Sequence, residues 1–312
     1  MRHLRLVPEK TNLQFIRHRN VAFTFSAVLV VASIVLLLVQ GLNFGIDFRG
    51  GTLIEIKTEG PADINDLRSR LSGLGLGEVT LQEFGAPDDV MIRIQQQEGD
   101  ESAQMAAIER VKEALGPGIE YRRVEYVGPK VGAELIRSGI VAVVLALGAI
   151  LVYIWFRFEW QFGVCAVVAL AHDVIATIGM FALTQIEFNL STVAAILTIA
   201  GYSINDTVVI FDRVRENLRR YKSLPIAELL NRSINETLSR TTITSVTTLL
   251  ALVALYVFGG EVIRGFSFAM IFGVLLGTFS SIWVAAPLLL RTGLRSTGTE
   301  AGAGGKTEQA LP

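Results

Sequence analysis

Residues 197–217 read LTIAGYSINDTVVIFDRVREN, an apolar run that turns into a charged, water-facing segment. Inside the apolar part sits Asp206, flanked by Asn205 and Thr207, with Ser203 one turn earlier. The run ends near Phe211, so at 1.5 Å per helical residue Asp206 lies roughly 8–9 Å inside that end. An aspartate is too short to reach water from there. It needs a partner or a proton, because an ionised carboxylate in hydrocarbon is costly, and such residues face a bundle interior or a wet path. Two readings stand. One is a helix-packing aspartate kept neutral or hydrogen-bonded; the other, which carries more weight, is a group that takes part in ion or proton movement.

The rest of the chain is built like this stretch. Of 312 residues, 51% are hydrophobic, the mean hydropathy is +0.48, and the apolar residues gather in blocks. Six blocks have spanning length: 21–39, 139–156, 161–183, 191–211, 241–258 and 266–290. The first follows twenty mostly polar residues and is long enough to span, so no cleavable signal peptide is expected. Basic residues crowd the 1–20 tail, which reads as irregular and solvated, the 212–240 loop and Arg291/Arg295, whereas the short loops on the other side offer only Arg264. That asymmetry places both termini in the cytoplasm. Cys165 is the single cysteine, so no internal disulfide can form.

Within the 212–240 loop Pro225 opens a helix with Ile226, Leu229, Leu230, Ile234 and Leu238 on one face. This pattern predicts an interfacial amphipathic helix along the cytoplasmic surface. The start of the fifth span is rich in hydroxyls, from Thr241 to Thr248, which can bond across helices or line a wet path. The sixth span carries Gly273-x-x-x-Gly277, a spacing that lets helices approach closely. Residues 291–312 read as a disordered tail.

Residues 42–135 form the extracytoplasmic part with its linkers. LNFGIDFRGG (42–51) is a glycine-punctuated turn in which Asp47 and Arg49 are expected to fix a loop rather than do chemistry. Between 52 and 127 the apolar period changes to that of strands and short helices. Strands are expected at Thr52–Lys57, Val79–Phe84, Val90–Gln95 and Ile119–Val127, the middle two joined around Pro87-Asp88-Asp89. Helices carry the stripes Ile64, Leu67, Leu71, Leu74 and Met105, Ile108, Val111, Leu115, the second capped by Asp100. The order β-α-β-β-α-β predicts an α+β ferredoxin-like domain. It holds no histidine or cysteine, so the usual transition-metal ligand sets are missing from it.

The candidate site lies in the bundle: Asp206 with Asn205 on the fourth span, Arg240 at the mouth of the fifth, and His172-Asp173 near the middle of the third. A neutral His172 bonding a neighbouring helix is the alternative reading there. An Asp–Arg pair in a poorly hydrated site favours the charged carboxylate, while desolvation favours the protonated one. A group balanced between the two can take up and release protons. No phosphate-binding G-x-x-x-x-G-K-[ST] loop occurs, so ATP is not the expected energy source. No metal-ligand motif or nucleophile–base signature appears, and no cofactor is expected.

AGYSINDTVVIFDRVREN (200–217) resembles the signature of the SecF family, one half of the bacterial SecD–SecF protein-export complex within the RND-type superfamily. NFGIDFRGGT (43–52), ALAHDV (169–174), RTTITSVTTLL (240–250) and FGGEVIRGFSFAMIFGVLLGT (258–278) agree with it, so the resemblance covers about residues 15–290. It implies a six-helix membrane protein of the inner membrane, half of an RND-type bundle, with a small periplasmic domain. It implies SecD as partner in a heterodimer, here as the separate-chain form. It implies work with the SecYEG channel and its accessory subunits on unfolded preprotein, using the proton-motive force for late, periplasmic-side steps. The family's motif aspartate and fifth-span arginine correspond to Asp206 and Arg240, and the main proton-carrying aspartate of the pair is thought to lie in SecD. Membrane lipid is a further expected partner, and nucleic acid is not. Two alternatives compete: half of an RND-like solute or lipid exporter, and a structural subunit that braces a channel and moves no protons.

Overall fold

The computed structural model describes residues 11–294 except 78, 98, 100, 261 and 262. Expectations that fall on residues 1–10, Asp100 or the tail beyond 294 lie outside the described residues. In chain order the elements are α1 (Arg19–Val39), the single turn α2 (Ile46–Arg49), β1 (Gly51–Lys57), α3 (Ile64–Ser72), β2 (Val79–Phe84), β3 (Ala86–Ile94), α4 (Glu101–Leu115) and β4 (Glu120–Val127). Long helices follow: α5 (Pro129–Arg157), α6 (Trp160–Thr184), α7 (Leu190–Arg220), α8 (Ile226–Phe258) and α9 (Arg264–Ser280). A π-helical segment, Ser281–Ala285, then joins α9 to the short α10 (Ala286–Leu288). Among the described residues six helical stretches are long and apolar enough to cross a membrane, one for each of the six blocks.

Two expectations about the bundle are corrected. The 226–238 segment is not a separate helix on a membrane surface: α8 runs unbroken from Ile226 to Phe258. No glycine or proline interrupts it, and nothing else in the sequence stops helix propagation there. Its apolar stripe packs on protein instead, with Leu229, Leu230 and Ile234 fully buried against Val214 and the end of α7. Asn217 on α7 donates to Ser233 Oγ and to Glu236 on α8, each at 2.9 Å. The described part of the basic tail is also not a free solvated strand. The Leu13 amide donates to Asn235 Oδ1 and the Leu13 carbonyl accepts from Asn235 Nδ2, both at 2.9 Å. Phe15 meets Trp283 edge-on at 5.1 Å, and the helical stretch that holds the first apolar block begins at Ile16.

The sheet domain has strand order β2-β3-β1-β4 with every pair antiparallel, the ferredoxin-like arrangement. Ile54, Ile56, Ile92 and Ile94 share the face that α3 and α4 cover. The β2–β3 turn sits at Gly85, not at Pro87-Asp88-Asp89, which belong to β3. Gly85 has φ +85°, a conformation that glycine adopts without steric cost. The α4 stripe is also shifted. Met105 is 55% exposed, and Gln104, Ala107, Ile108, Val111 and Leu115 face inward.

The helix-free face of the sheet rests on one end of the bundle. Arg93 pairs with Glu187 at 2.8 Å and donates to Asn43 Oδ1 and the Phe44 carbonyl. Asp47 does fix a loop, since its Oδ2 accepts the Leu190 amide at 2.9 Å, at the first turn of α7. Glu55 is nearly buried under this face. Burial raises its carboxyl above the ordinary value and outweighs the opposing Arg123 charge. A carboxyl raised on folding stabilises the fold fully below its unfolded pKa, and that contribution is lost as pH rises through the folded value. Glu55→Gln is therefore expected to slow hydrogen exchange of the β1 amides at neutral pH, with the difference vanishing near pH 4.

Candidate functional site

The polar centre of the bundle is built where α6, α7 and α9 meet. Asp173 on α6 is fully buried. Its Oδ2 accepts from Ser203 Oγ on α7 at 2.5 Å and from Ser280 Oγ at the end of α9 at 2.7 Å. Its Oδ1 lies 2.9 Å from His172 Nδ1. One turn further along α7, Thr207 Oγ1 bonds Ser281 Oγ at 2.8 Å. The carboxylate thus ties three helices together, which is how a buried acid is tolerated.

Close packing sets this geometry. A Cβ on Gly273 would lie 2.3 Å from Ile199 Cγ1, and one on Gly277 would lie 3.0 Å from Ser203 Cβ. The two glycines therefore let α9 approach α7, and Gly277 rests against the serine that bonds Asp173. The π-helical segment begins directly after Ser280, and such local unwinding is frequent at functional sites. Gly273→Val is expected to push α9 off Ile199 and destabilise the bundle by about 1–3 kcal/mol, seen as a lower melting temperature in detergent.

Asp206, three residues after Ser203, is also buried, but its Oδ2 has no hydrogen-bond partner. The direct ion pair with Arg240 that the sequence suggested is not formed, and Oδ2 stays bare. Arg240 and Asn205 are exposed, on faces of α8 and α7 that the chain itself leaves uncovered. The predicted residues thus divide in two. His172 and Asp173 share one network, whereas Asp206, Asn205 and Arg240 line the border between the core and an open face. Among the other buried polar atoms without partners are His172 Nε2 and Thr241 Oγ1. Sequence reasoning missed Ser280 and Ser281 altogether, and had Ser203 only as a neighbour of Asp206. Among the described residues no cluster of three or more His, Cys, Asp or Glu could hold a metal.

The family model for the C-terminal part of the protein export membrane proteins SecD and SecF matches residues 107–295, which include every residue of this site. The SecD/SecF GG motif matches residues 35–62. This chain belongs to the SecD/SecF family. Among its relatives, a protein translocase subunit SecF of Cereibacter sphaeroides is 53% identical over 300 residues, covering 93% of both chains. A SecF of Rickettsia bellii is 48% identical over 290 residues, covering 92% of this chain and 95% of the other. The crystal structure of SecDF, a translocon-associated membrane protein from Thermus thermophilus, superposes with a TM-score of 0.82 at 37% identity over 93% of this chain. A SecDF structure in a super-membrane-facing form gives 0.68 at the same identity. The chain spans 40% of the length of either SecDF chain. The five stretches that resembled SecF thus fall in a true family member. In the GG motif, Gly51 has φ +115°, and a Cβ there would lie 2.4 Å from the Ile94 carbonyl oxygen. No residue but glycine fits that crossing of β1 and β3.

Proposed function

We propose that this chain is the SecF half of a proton-driven export pair in the bacterial inner membrane. In this reading its partner is SecD, both termini are cytoplasmic and the sheet domain is periplasmic. The pair uses the proton-motive force to promote late steps in the movement of unfolded preprotein through the SecYEG channel, without hydrolysing ATP. The observation that carries the reading is Asp206, a buried carboxyl with a bare oxygen beside an open polar face. On that face Ser191, Ala194, Thr198, Gly201 and Asn205 of α7 are exposed, next to Arg240 and Thr247 of α8. Small and hydroxylated residues at membrane depth suit a close helix–helix contact. A SecD half packed there would enclose Asp206 and Arg240 between the two chains and complete a path for protons. His172 and Asp173 hold the neighbouring core in register and complete the relay set. The test is export of a preprotein into vesicles holding this chain, SecD and SecYEG, with a proton gradient imposed or collapsed by an ionophore. Export that ignores the gradient overturns the reading.

A further inference from the structure

A crevice of about 490 Å³ opens between α2, α5 and α7 near the sheet end of the bundle. Its volume lies in the range of ligand pockets, roughly 300–1,000 Å³. One wall is aromatic. Phe44, Phe48 and Phe188 meet with ring centroids 5.8–5.9 Å apart. That wall is held by main-chain bonds, Gly45 N to the Phe188 carbonyl at 2.9 Å and Phe188 N to the Asn43 carbonyl at 2.7 Å. The opposite wall is aliphatic, Ile136, Ile140 and Val143 of α5, with Gly139 leaving space between them. Val144, which also lines the crevice, and the neighbouring Val141 and Leu145 are exposed, as the lipid-facing side of a spanning helix is.

Arg49 lines the same crevice and is exposed. Among the described residues no carboxylate forms an ion pair with Arg49; Glu187 holds Arg93, and Asp47 accepts the Leu190 amide. A guanidinium without a carboxylate, at the end of an apolar slot in a membrane protein, complements a phosphate followed by hydrocarbon. The sheet domain begins two residues later at Gly51, so Arg49 stands where the bundle meets water. We infer that this crevice binds one anionic phospholipid, with an acyl chain between the three phenylalanines and α5 and the phosphate on Arg49.

The test uses the full chain with its SecD partner, exchanged into nanodiscs of phosphatidylcholine doped with phosphatidylglycerol. Lipid that remains bound after transfer to detergent is counted by native mass spectrometry. Wild type is expected to retain phosphatidylglycerol in preference to phosphatidylcholine. Arg49→Gln is expected to lower that retention about fivefold, the factor for one basic residue at an anionic membrane surface. Gly139→Leu fills the slot and keeps Arg49. A Cβ there meets only Leu190 Cδ2, at 3.8 Å, so the helix tolerates it, and retention should be lost. Retention unchanged in both variants overturns the inference. So does equal retention of the two lipids, displacement of the lipid by inorganic phosphate alone, or crosslinking of I140C to the partner polypeptide instead of to lipid. None of these readouts depends on proton coupling, so the inference and the proposed function fail separately.

Discussion

Asp206→Asn, assembled with SecD, is expected to insert and fold as wild type does while losing gradient-driven export. The substitution is isosteric and removes only the ability to exchange a proton. The native Oδ2 makes no hydrogen bond, so no protein contact is lost with it, and a neutral amide is cheaper to bury than a carboxylate. Stability should therefore hold or rise. Activity should fall by roughly 10²-fold or more, the loss typical when a proton-transferring group is removed. The measurement pairs two assays on the same vesicles, proton flux and the gradient-dependent component of export. Both should drop together, while export without a gradient stays at the wild-type level. Unchanged gradient dependence in the Asn variant would show that Asp206 carries no proton, and would favour the bracing-subunit reading.

What the sequence made legible follows from how each signal is encoded. Spanning helices announce themselves by composition, since twenty apolar residues have no other stable home, and all six blocks correspond to helices. Asp206 and Asp173 were visible because a carboxylate within such a block is rare. The fate of the 226–238 stripe was not visible. An amphipathic face looks the same whether it meets a lipid surface or another helix, and only the tertiary fold places Val214 and Asn217 against it. The serines around Asp173 stayed hidden for a related reason. Hydroxyls are common in spanning helices, and nothing local marks Ser203 and Ser280, 77 positions apart, as converging on one oxygen. The Gly85 turn was missed because Pro-Asp-Asp is a stronger turn pattern than a lone glycine. The pairing of Phe84 with Ala86 across that glycine decides the matter.

Asp173→Ala is expected to be the most damaging single change in the bundle for stability, in contrast to Asp206→Asn. Asp173 is fully buried and accepts from Ser203 and Ser280 while holding His172. Alanine would strand these groups on three faces of a cavity, each an unsatisfied polar group costing about 1–3 kcal/mol. The shared geometry makes the losses less than additive, so a total of about 3–5 kcal/mol is expected, as for breaking a buried charged pair. A membrane protein of ordinary marginal stability would not accumulate with that loss. Asp173→Asn separates the two parts that this carboxyl plays. The amide oxygen can still accept from both serines, and the amide nitrogen can donate to His172 Nδ1, so the variant should fold and pair with SecD. If the Asn variant then supports gradient-driven export, Asp173 is a strut that holds α6, α7 and α9 together beside Asp206. If it folds but fails, the proton path runs through Asp173 as well, and His172, whose Nε2 is unpartnered, becomes the next residue along it.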